Sequence, residues 1–441
     1  MQRLTVRPTP GGLQGTVRVP PSKYHLHRAL IFGSLAEGDT QIQGRSDARH
    51  IRYTVMALRA LGTRIVRRPD GYTVTGGPYV PRRGRVGVGS SGSTLQFLVG
   101  LGCRSVRGPV VFSGQKYFRN RPIGPLLRAL EAMGVKLEAV NDRVPVTVYP
   151  GNPRGGTVVI PGLLSQWVSG LLMVAPFAQT TTRIHVEGPY NERTYVELTR
   201  RMLTEFGIRV EADPSMRRWV VPPDQTYQPR SLVMEPDLSS AAFPLVLAAL
   251  HPADVILEGI DGPGDHPEGR ILDIVQDMGI PLEIDAQRGR VRVYHGGERP
   301  RGTVVDMRDI PDLLPILCVL ASVARGRSVL RNVTHARLKE SDRVRSMLQL
   351  RRMGARIEER GGDLVIDGVD RLEGADLSSY NDHRVLMALA VAGSVARGDT
   401  RISFPHAYRI SYPEFLLDMA SIGMRAEVET VESSHVRELP R

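Results

Sequence analysis

Residues 27–38 read HRALIFGSLAEG, an apolar run with the length and composition of a buried helix. Similarity at a regular spacing is the signature of a repeated structural unit. Successive runs of this kind start 66, 72, 74, 73 and 71 residues apart, at Ser93, Ser165, Ser239, Asp312 and His383. The chain is therefore expected to contain six copies of one unit.

Each apolar run is followed by a strand-like segment, a second helix that stops at a glycine, and usually two more strand-like segments. The glycines that end the second helices are Gly62, Gly134, Gly207, Gly279, Gly354 and Gly423. Glycine readily adopts the left-handed conformation that follows a helix. Six units that combine helices and strands predict an α/β protein with two domains of three units each.

Length and composition bound the class of protein. A chain of 441 residues with 41% hydrophobic residues can bury large cores and is long enough for two domains. It contains no apolar run near the roughly 18 residues that span a bilayer, and its first residues lack the apolar segment of a signal peptide. We therefore expect a soluble, cytoplasmic protein with no membrane partner.

The cysteine content argues against metal and disulfide chemistry. The two cysteines, Cys103 and Cys318, both lie in apolar helical runs, and no cluster of histidine and cysteine has the spacing of metal ligands. We expect two buried thiols, no metal site and no cofactor.

The charge of the chain indicates its ligands. A formal charge of +12 is typical of a nucleic-acid partner or of a site for small anions. Small anions are favoured, because the chain has no uninterrupted basic tract, no RNA-binding aromatic motif and no zinc-finger spacing. Of 58 basic residues only four are lysines, at Lys23, Lys116, Lys136 and Lys339. A lysine in so arginine-rich a chain indicates a place that needs a compact, rotatable charge.

The starts of the six apolar helices are rich in small and capping residues, as in PPSKYH, GSSGS and SYNDHR. A helix N-terminus has free backbone N–H groups and a positive partial charge, so it attracts anions. For any one of them an ordinary helix cap is the commoner explanation. Six in register favour an anion site, since charged residues lie at or near them. These are Lys23, Arg28, Asp306, Asp382 and Arg384.

A charged cluster, THARLKESDR at residues 334–343, follows an apolar strand-like run and precedes an amphipathic helix. Loops that leave a sheet are common places for chemistry. By itself the cluster would be interpreted as an exposed, charged helix start. The other motifs of the chain change that interpretation.

Seven short motifs extend over nearly the whole chain. They are residues 22–30 (SKYHLHRAL), 89–94 (GSSGST), 121–126 (RPIGPL), 165–166 (SQ), 306–312 (DMRDIPD), 338–343 (LKESDR) and 381–384 (NDHR). Together, in this order and at these distances, they resemble the enolpyruvyl transferases of the 5-enolpyruvylshikimate-3-phosphate synthase family. Each motif alone is weak evidence, whereas RPIG, KESDR and NDHR together are highly specific.

The resemblance implies a two-domain inside-out α/β barrel of six βαβαββ repeats, three per domain, with the active site in the interdomain cleft. In that family the first strand crosses into the C-terminal domain. The implied domains are residues 20–232 and residues 1–19 plus 233–441. We expect the domains to close on the substrates and the protein to be a monomer.

The resemblance also implies transfer of the enolpyruvyl group of phosphoenolpyruvate to a hydroxyl of a phosphorylated acceptor, with release of phosphate. This chemistry needs cations for the phosphate and carboxylate, a base near the hydroxyl and an acid for the methylene carbon. The implied catalytic residues are Lys23, Asp306, Lys339 and Glu340. The implied phosphoenolpyruvate-binding residues are Lys23, Gly92, Arg121, Gln166, Arg343 and Arg384. The implied acceptor-binding residues are Tyr24, Arg28, Ser165, Gln166, Arg193, Asp306, His335 and Lys339.

Several positions on the acceptor side depart from the family pattern. Tyr24 and Leu164 stand where the shikimate enzymes usually have serine, and Gln96 stands where they usually have arginine. A lysine known in part of the family aligns with Ile410, and the neighbouring Arg409 is a candidate substitute. The acceptor, rather than the reaction, is therefore open.

Shikimate 3-phosphate, from the shikimate pathway of aromatic amino acid biosynthesis, is the family's default acceptor. The alternative is a hydroxyl of a nucleoside monophosphate such as uridine monophosphate, because Tyr24 adds a ring that stacks on planar groups. Two other classes remain, a basic nucleic-acid-binding protein and an inactive binding module. Retention of Lys23, Asp306 and Glu340 together argues against the inactive module.

Overall fold

The structure, a computed structural model, describes residues 2–115, 118 and 123–430. The chain divides into two compact units. Unit 1 comprises Met1–Pro20, Leu238–Gly264 and Glu268–Arg441, and unit 2 comprises Pro21–Asp237 and Asp265–Pro267. Two residues singled out in the sequence, Lys116 and Arg121, lie outside the described residues.

The described part of the chain forms twelve α-helices, six in each unit. Those of unit 2 are α1 (Lys23–Leu35), α2 (Arg49–Ala60), α3 (Gly92–Leu101), α4 (Gly124–Ala132), α5 (Ser165–Val174) and α6 (Arg193–Glu205). Those of unit 1 are α7 (Leu238–Ala249), α8 (Ile271–Asp277), α9 (Leu314–Ser322), α10 (Arg343–Met347), α11 (His383–Ser394) and α12 (Phe415–Ser421).

The strands of the described residues are short. In chain order they are β1 (Gln2–Arg7), β2 (Leu13–Arg18), β3 (Asp39–Gln43), β4 (Arg64–Arg67), β5 (Gly71–Thr75), β6 (Arg85–Gly87), β7 (Val110–Ser113), β8 (Leu137–Val140), β9 (Arg143–Val148), β10 (Gly156–Pro161), β11 (Thr182–Glu187), β12 (Glu211–Ala212), β13 (Arg218–Val221), β14 (Ser231–Val233), β15 (Ala253–Glu258), β16 (Leu282–Asp285), β17 (Arg290–His295), β18 (Val304–Asp306), β19 (Arg327–Arg331), β20 (Arg356–Arg360), β21 (Asp363–Asp367), β22 (Leu372–Glu373), β23 (Asp376–Ser378), β24 (Ala396–Arg397), β25 (Thr400–Ser403) and β26 (Arg425–Thr430).

Six four-stranded sheets share one pattern of pairing, in which one parallel pair is followed by two antiparallel pairs. In unit 2 the strand orders are β14-β3-β5-β4, β6-β7-β9-β8 and β10-β11-β13-β12. In unit 1 they are β2-β15-β17-β16, β18-β19-β21-β20 and β23-β25-β1-β26. The recurrence confirms the predicted sixfold repeat. The first two strands of the chain, β1 and β2, complete sheets of unit 1.

The first helix of each repeat is buried on all sides. Every residue of α1, α7, α9 and α11 is buried. In α3 and α5 one residue each is only partly buried, Ser93 and Gln166 respectively. Each of these helices contacts a strand of its own repeat. A helix that is apolar all round belongs to a core, which explains why the apolar runs dominate the sequence.

The second helices end as predicted. The glycines that follow them adopt φ angles between +82° and +116°, and they are Gly62, Gly134, Gly207, Gly279, Gly354 and Gly423. One helix is shorter than its amphipathic pattern predicts, because α10 gives way to a 3₁₀ turn over Leu348–Met353. Such tightening is common at helix ends.

The structure bears on the predictions about membrane-spanning helices and about the two cysteines. Among the described residues no helix is long and apolar enough to cross a bilayer. Cys103 and Cys318 are buried free thiols, as predicted. Burial raises the pKa of both thiols, since apolar surroundings disfavour the thiolate.

Candidate functional site

Arg343, the last residue of the LKESDR motif, is a completely buried cation at the start of α10. Its Nε donates to Asp382 Oδ2 at 2.9 Å, its Nη1 to Asp312 Oδ1 at 2.6 Å and its Nη2 to Glu340 Oε2 at 2.8 Å. Burial disfavours the charged guanidinium, but the three carboxylates outweigh it and raise the pKa of Arg343 well above its usual value. The guanidinium therefore stays charged and fixed in direction.

Arg384, in the NDHR motif, is only 1% exposed and joins the same cluster. Its Nη2 lies 3.1 Å from Asp312 Oδ2 and 2.9 Å from Ser239 Oγ. Asp382 caps α11 by accepting the backbone N–H of Arg384 at 2.9 Å. One carboxylate, that of Asp312, thus holds both arginines through its two oxygens.

The cluster comes from three motifs that are far apart in sequence. Asp312 closes the DMRDIPD motif and lies in a 3₁₀ turn before α9, while LKESDR leads into α10 and NDHR into α11. The motifs assigned the two arginines and Glu340 to the site, whereas Asp382 was named only as a charged residue near a helix start and Asp312 was given no role. Both aspartates belong to quoted motifs, but an anion is expected to bind cations, so a sequence does not indicate that carboxylates hold the two arginines.

The balance of charge in this cluster differs from the simple expectation of a cationic pocket. Two guanidinium groups contact three carboxylates, those of Asp312, Glu340 and Asp382. An anion that replaces one of the Arg343 contacts leaves a carboxylate without this cation, which favours protonation of that carboxylate. Ion pairs this deeply buried cost much in desolvation and are retained where they are fully bonded.

A possible metal group overlaps the same cluster. Within the described residues, Glu340, Asp382 and His383 offer ligand atoms within 4.8 Å of one another. The guanidinium of Arg343 donates to both of these carboxylates. A metal ion at this place would have to displace that guanidinium.

Asp306, the predicted base, ends β18 and is held by its neighbours. Its Oδ1 accepts the backbone N–H of Arg308 at 3.0 Å and the Nδ2 of Asn332 at 3.0 Å, and its Oδ2 accepts the Nε of Arg308 at 2.9 Å. Partial burial acts to raise the pKa of Asp306, but these hydrogen bonds outweigh it and lower the pKa to about 2. In this arrangement Asp306 is a weak base.

The remaining predicted residues of unit 1 lie on the loop after β19. His335 is buried in a 3₁₀ turn over Thr334–Leu338, and Lys339 follows it as a half-buried residue. The loop also contains Glu340, so the predicted lysine and acid lie next to the Arg343 cluster in the chain. Their roles stay predictions.

In unit 2 the predicted residues also lie at helix starts. Lys23 begins α1, and its backbone N–H donates to Asp237 Oδ2 at 3.0 Å. The ring of Tyr24 is 7% exposed, and its centroid lies 5.1 Å from that of Tyr195 and 5.4 Å from that of His266. The ring thus packs edge-on against two rings of its own unit. A contact between Tyr24 and an acceptor stays a prediction.

Arg28 is a buried cation of a different kind. Its Nε donates to Thr199 Oγ1 at 2.8 Å, its Nη1 to the Tyr24 carbonyl at 2.9 Å and its Nη2 to the Tyr195 carbonyl at 3.0 Å. It stacks over Phe97 at 5.0 Å, and no carboxylate of the described residues pairs with it. Burial lowers the pKa of Arg28 to about 9. A buried arginine with only neutral partners is suited to an anionic ligand.

Ser165, predicted to bind an anionic group of the acceptor, begins α5 and has another partner. Its Oγ donates to Glu192 Oε2 at 2.6 Å, and its backbone N–H donates to the same oxygen at 3.1 Å. The structure therefore uses both donors on a carboxylate of the chain itself. Glu192 was not singled out in the sequence, because it lies in none of the quoted motifs.

The helix starts of α3 and α5 are joined by amides. Gln166 Nε2 donates to Ser93 Oγ at 3.0 Å, and Gln166 Oε1 accepts from Gln96 Nε2 at 2.9 Å. Gly92 is the first residue of α3, directly before Ser93. Gln96 therefore orients the predicted ligand Gln166. Arg193 is exposed at the start of α6.

Residues 8–419 match the family model described as EPSP synthase (3-phosphoshikimate 1-carboxyvinyltransferase). The chain belongs to the EPSP synthase family. The 3-phosphoshikimate 1-carboxyvinyltransferase of Acetivibrio thermocellus is 36% identical over 95% of this chain and 97% of that protein. The solved EPSP synthase of Acinetobacter baumannii is 25% identical, with a TM-score of 0.81 over 98% of this chain and 100% of that chain. The enolpyruvyl transferase NikO from Streptomyces tendae shares the fold at 18% identity, with a TM-score of 0.77 over 98% of this chain and 99% of that chain.

Membership of the EPSP synthase family confirms the predicted family, fold class and enzyme class. The fold is that of the EPSP synthases, a two-domain inside-out α/β architecture. The chain is a transferase of alkyl groups other than methyl, the class to which the 3-phosphoshikimate 1-carboxyvinyltransferases among its relatives belong.

Proposed function

We propose that the chain transfers the enolpyruvyl group of phosphoenolpyruvate to a hydroxyl of shikimate 3-phosphate and releases inorganic phosphate. The family model and the relative from Acetivibrio thermocellus, which bears the name of that reaction, match nearly the whole chain. The geometric observation that carries the proposal is the buried pair Arg343 and Arg384, which share the carboxylate of Asp312. Such fixed guanidinium groups match the geometry of carboxylate and phosphate oxygens.

Phosphoenolpyruvate carries a phosphate and a carboxylate, and both need donors and cations. Six residues are proposed as its ligands. They are Lys23, Gly92, Arg121, Gln166, Arg343 and Arg384. Supporting this assignment, Gln166 is held by Gln96, and the two arginines are held by carboxylates, so these side chains are oriented before the ligand arrives.

Binding at Arg343 affects Glu340, the proposed acid. In the structure Glu340 Oε2 accepts from Arg343 Nη2 at 2.8 Å. A substrate carboxylate that took this N–H would leave Glu340 next to an anion, which favours its protonated form. A protonated Glu340 is the group that the methylene carbon requires.

The reaction then proceeds by addition and elimination. The acceptor hydroxyl gives its proton to Asp306, and its oxygen bonds to the central carbon of phosphoenolpyruvate while Glu340 protonates the methylene carbon. The result is a tetrahedral ketal with a new methyl group. Glu340 then takes a proton back from the methyl group as phosphate leaves with the electrons of its C–O bond, and the leaving phosphate takes up the proton that Asp306 received, which restores both carboxyl groups. Lys23 and Lys339 stabilise the charge that develops.

Asp306 becomes an effective base only when the acceptor binds next to it. The Arg308 contacts that lower the pKa of Asp306 to about 2 make it a poor proton acceptor. We assign the acceptor hydroxyl to a position next to the Asp306 carboxylate, which Arg308 also contacts.

One observation counts against a phosphate at Ser165. Glu192 takes both donors of Ser165, and Leu164 beside it offers no hydroxyl, so this helix start is poorly suited to the phosphate of either acceptor. The second candidate acceptor, a hydroxyl of a nucleoside monophosphate such as uridine monophosphate, rests instead on the ring of Tyr24 beside Lys23. The other proposed acceptor contacts are Tyr24, Arg28, Gln166, Arg193, Asp306, His335 and Lys339. A monomeric, cytoplasmic protein without a nucleic-acid partner stays a prediction from the sequence.

The test is the release of phosphate from phosphoenolpyruvate with shikimate 3-phosphate, with uridine monophosphate, and with neither. We expect release with shikimate 3-phosphate and none without an acceptor. Glu340→Gln should lower the rate by about 10²- to 10⁴-fold. Glu373→Gln, at an exposed glutamate of unit 1, serves as the matched control. Absence of release with both acceptors would refute the proposal, and release with uridine monophosphate alone would replace the acceptor.

A further inference from the structure

We propose that Glu192 selects the acceptor, because its carboxylate holds the N-terminal end of α5 and opposes an acceptor phosphate at Ser165. This inference rests on the proposed function. Glu192 is then a specificity-determining residue of unit 2, and it restricts which group of the acceptor can lie at Ser165. The acceptor group that fits next to Glu192 is an uncharged hydrogen-bond donor, such as a hydroxyl or an N–H group.

The contact between Glu192 and Ser165 is buried and consists of two hydrogen bonds. Glu192 is 1% exposed, and a single oxygen of its carboxylate accepts both the hydroxyl and the backbone N–H of Ser165. Hydrogen bonds to a carboxylate are about twice as strong as neutral ones. The positive end of the ten-residue helix α5 adds a further attraction for this charge. The chain therefore supplies its own anion where the resemblance placed an anion of the acceptor.

The backbone around Glu192 fixes it in place. Glu192 adopts a left-handed conformation with φ +60°, which is uncommon for glutamate. The preceding Asn191 donates its N–H to the Gly162 carbonyl at 2.9 Å, and the Glu192 carbonyl accepts the N–H of Tyr195 at 3.1 Å. A residue held in such a conformation by its neighbours is often found at a functional site. The carboxylate consequently has little freedom to leave Ser165.

Arg28 is the buried cation of this part of unit 2. Its Nη2 reaches the Tyr195 carbonyl in the first turn of α6, and its Nε donates to Thr199 Oγ1, which in turn donates to Ser169 Oγ at 2.8 Å. Ser169 lies one turn after Ser165 on α5. The cation thus contacts α6 directly and α5 through Thr199, the two helices near whose starts the Glu192 carboxylate lies, and Arg28 forms no ion pair with Glu192.

These charges sort the groups of an acceptor. An anionic group gains by approaching Arg28, which lacks a carboxylate among the described residues. The same group at Ser165 would meet a carboxylate that already uses both donors, and a like charge at this distance discriminates strongly against it. Specificity here comes from a repulsive element as much as from an attractive one.

The experiment measures binding and turnover in Glu192→Gln and Glu192→Ser variants of the full chain. Glutamine keeps an acceptor oxygen for Ser165 without the charge, and serine removes the group. The dissociation constant of shikimate 3-phosphate is measured by calorimetry, with KM for phosphoenolpyruvate as an internal reference. We expect both variants to bind shikimate 3-phosphate about tenfold or more tightly than the wild type, at unchanged KM for phosphoenolpyruvate. Glu205→Gln, at an exposed glutamate of α6, is the matched control and should behave as the wild type.

The outcomes separate this inference from the proposed function. Binding of shikimate 3-phosphate that is unchanged or weaker in both variants would overturn the role of Glu192. If Glu192→Ser does not fold, Glu192→Gln decides by itself. Tighter binding without phosphate release on any acceptor would support Glu192 as a selector and refute the proposed function instead.

Discussion

Replacing Arg343 by methionine should destabilise unit 1 strongly. Methionine fills a similar volume without charge, so the variant loses three charge-assisted hydrogen bonds of 2.6 to 2.9 Å at a position with no exposed surface. Removing one partner of a buried ion pair costs about 3–5 kcal/mol. Arg384 still holds Asp312 after the substitution, so the middle of that range, about 4 kcal/mol, is expected.

The assay is differential scanning calorimetry of the wild type, Arg343→Met and Arg345→Met. For a domain of roughly 150–250 residues each kcal/mol shifts the Tm by about 2–4 °C, so Arg343→Met should melt about 8–16 °C lower. Arg345 lies exposed on the same helix, and its replacement should change stability by less than about 0.5 kcal/mol. A Tm of Arg343→Met within about 2 °C of the wild type would refute the reasoning, since it would mean that the carboxylates do not depend on this cation.

Three further predictions concern the proposed acid, base and acceptor contacts. Asp306→Ala and Glu340→Ala should each lower kcat by about 10²- to 10⁴-fold while calorimetry still detects phosphoenolpyruvate binding, and loss of binding instead would contradict their proton-transfer roles. Arg308→Gln should raise the pKa of Asp306 from about 2 toward its usual value, because hydrogen bonds that favour the charged form disappear while burial remains. The lowered folded-state pKa of Asp306 contributes stability above about pH 4 that is lost as the pH falls toward 2, and Arg308→Gln should lose this pH dependence. NMR titration of the carboxyl groups, with the Asp306 signal assigned from Asp306→Asn, measures the shift in pKa. A pKa of Asp306 that stays near 2 in Arg308→Gln would contradict the prediction. Arg28→Met should raise KM for the acceptor severalfold at unchanged KM for phosphoenolpyruvate, and steady-state kinetics in which both constants move equally would point to a structural role.

The repeat architecture was predictable from the sequence for a physical reason. Helices buried on all sides are mostly apolar, so α7 and the later parts of α1 and α11 appear as apolar runs at regular spacing, while buried charged residues such as Lys23, Arg28 and Arg384 lie near the helix starts. The glycine stops follow from the left-handed conformation that each of them adopts. In contrast, a strand carries no mark of its partner. The insertion of β1 between β25 and β26, more than 390 residues away, could be expected only from the resemblance.

The site was predictable residue by residue but not contact by contact. Arg343 and Arg384 stand out because their motifs match, yet a sequence does not state which carboxylates neutralise a buried cation. Asp312 and Asp382 were therefore missed as partners. Glu192 was missed for a different reason, since it lies 27 residues after Ser165 and resembles an ordinary residue at the start of an amphipathic helix.

The most direct test of enolpyruvyl transfer is NMR observation of the product formed from phosphoenolpyruvate and shikimate 3-phosphate in D₂O by the wild-type protein. Addition and elimination through a ketal with a methyl group predict an enolpyruvyl ether of the acceptor, one inorganic phosphate per ether, and deuterium in the vinyl group. Release of phosphate together with free pyruvate, or no ether in the presence of both substrates, would contradict the proposed transfer.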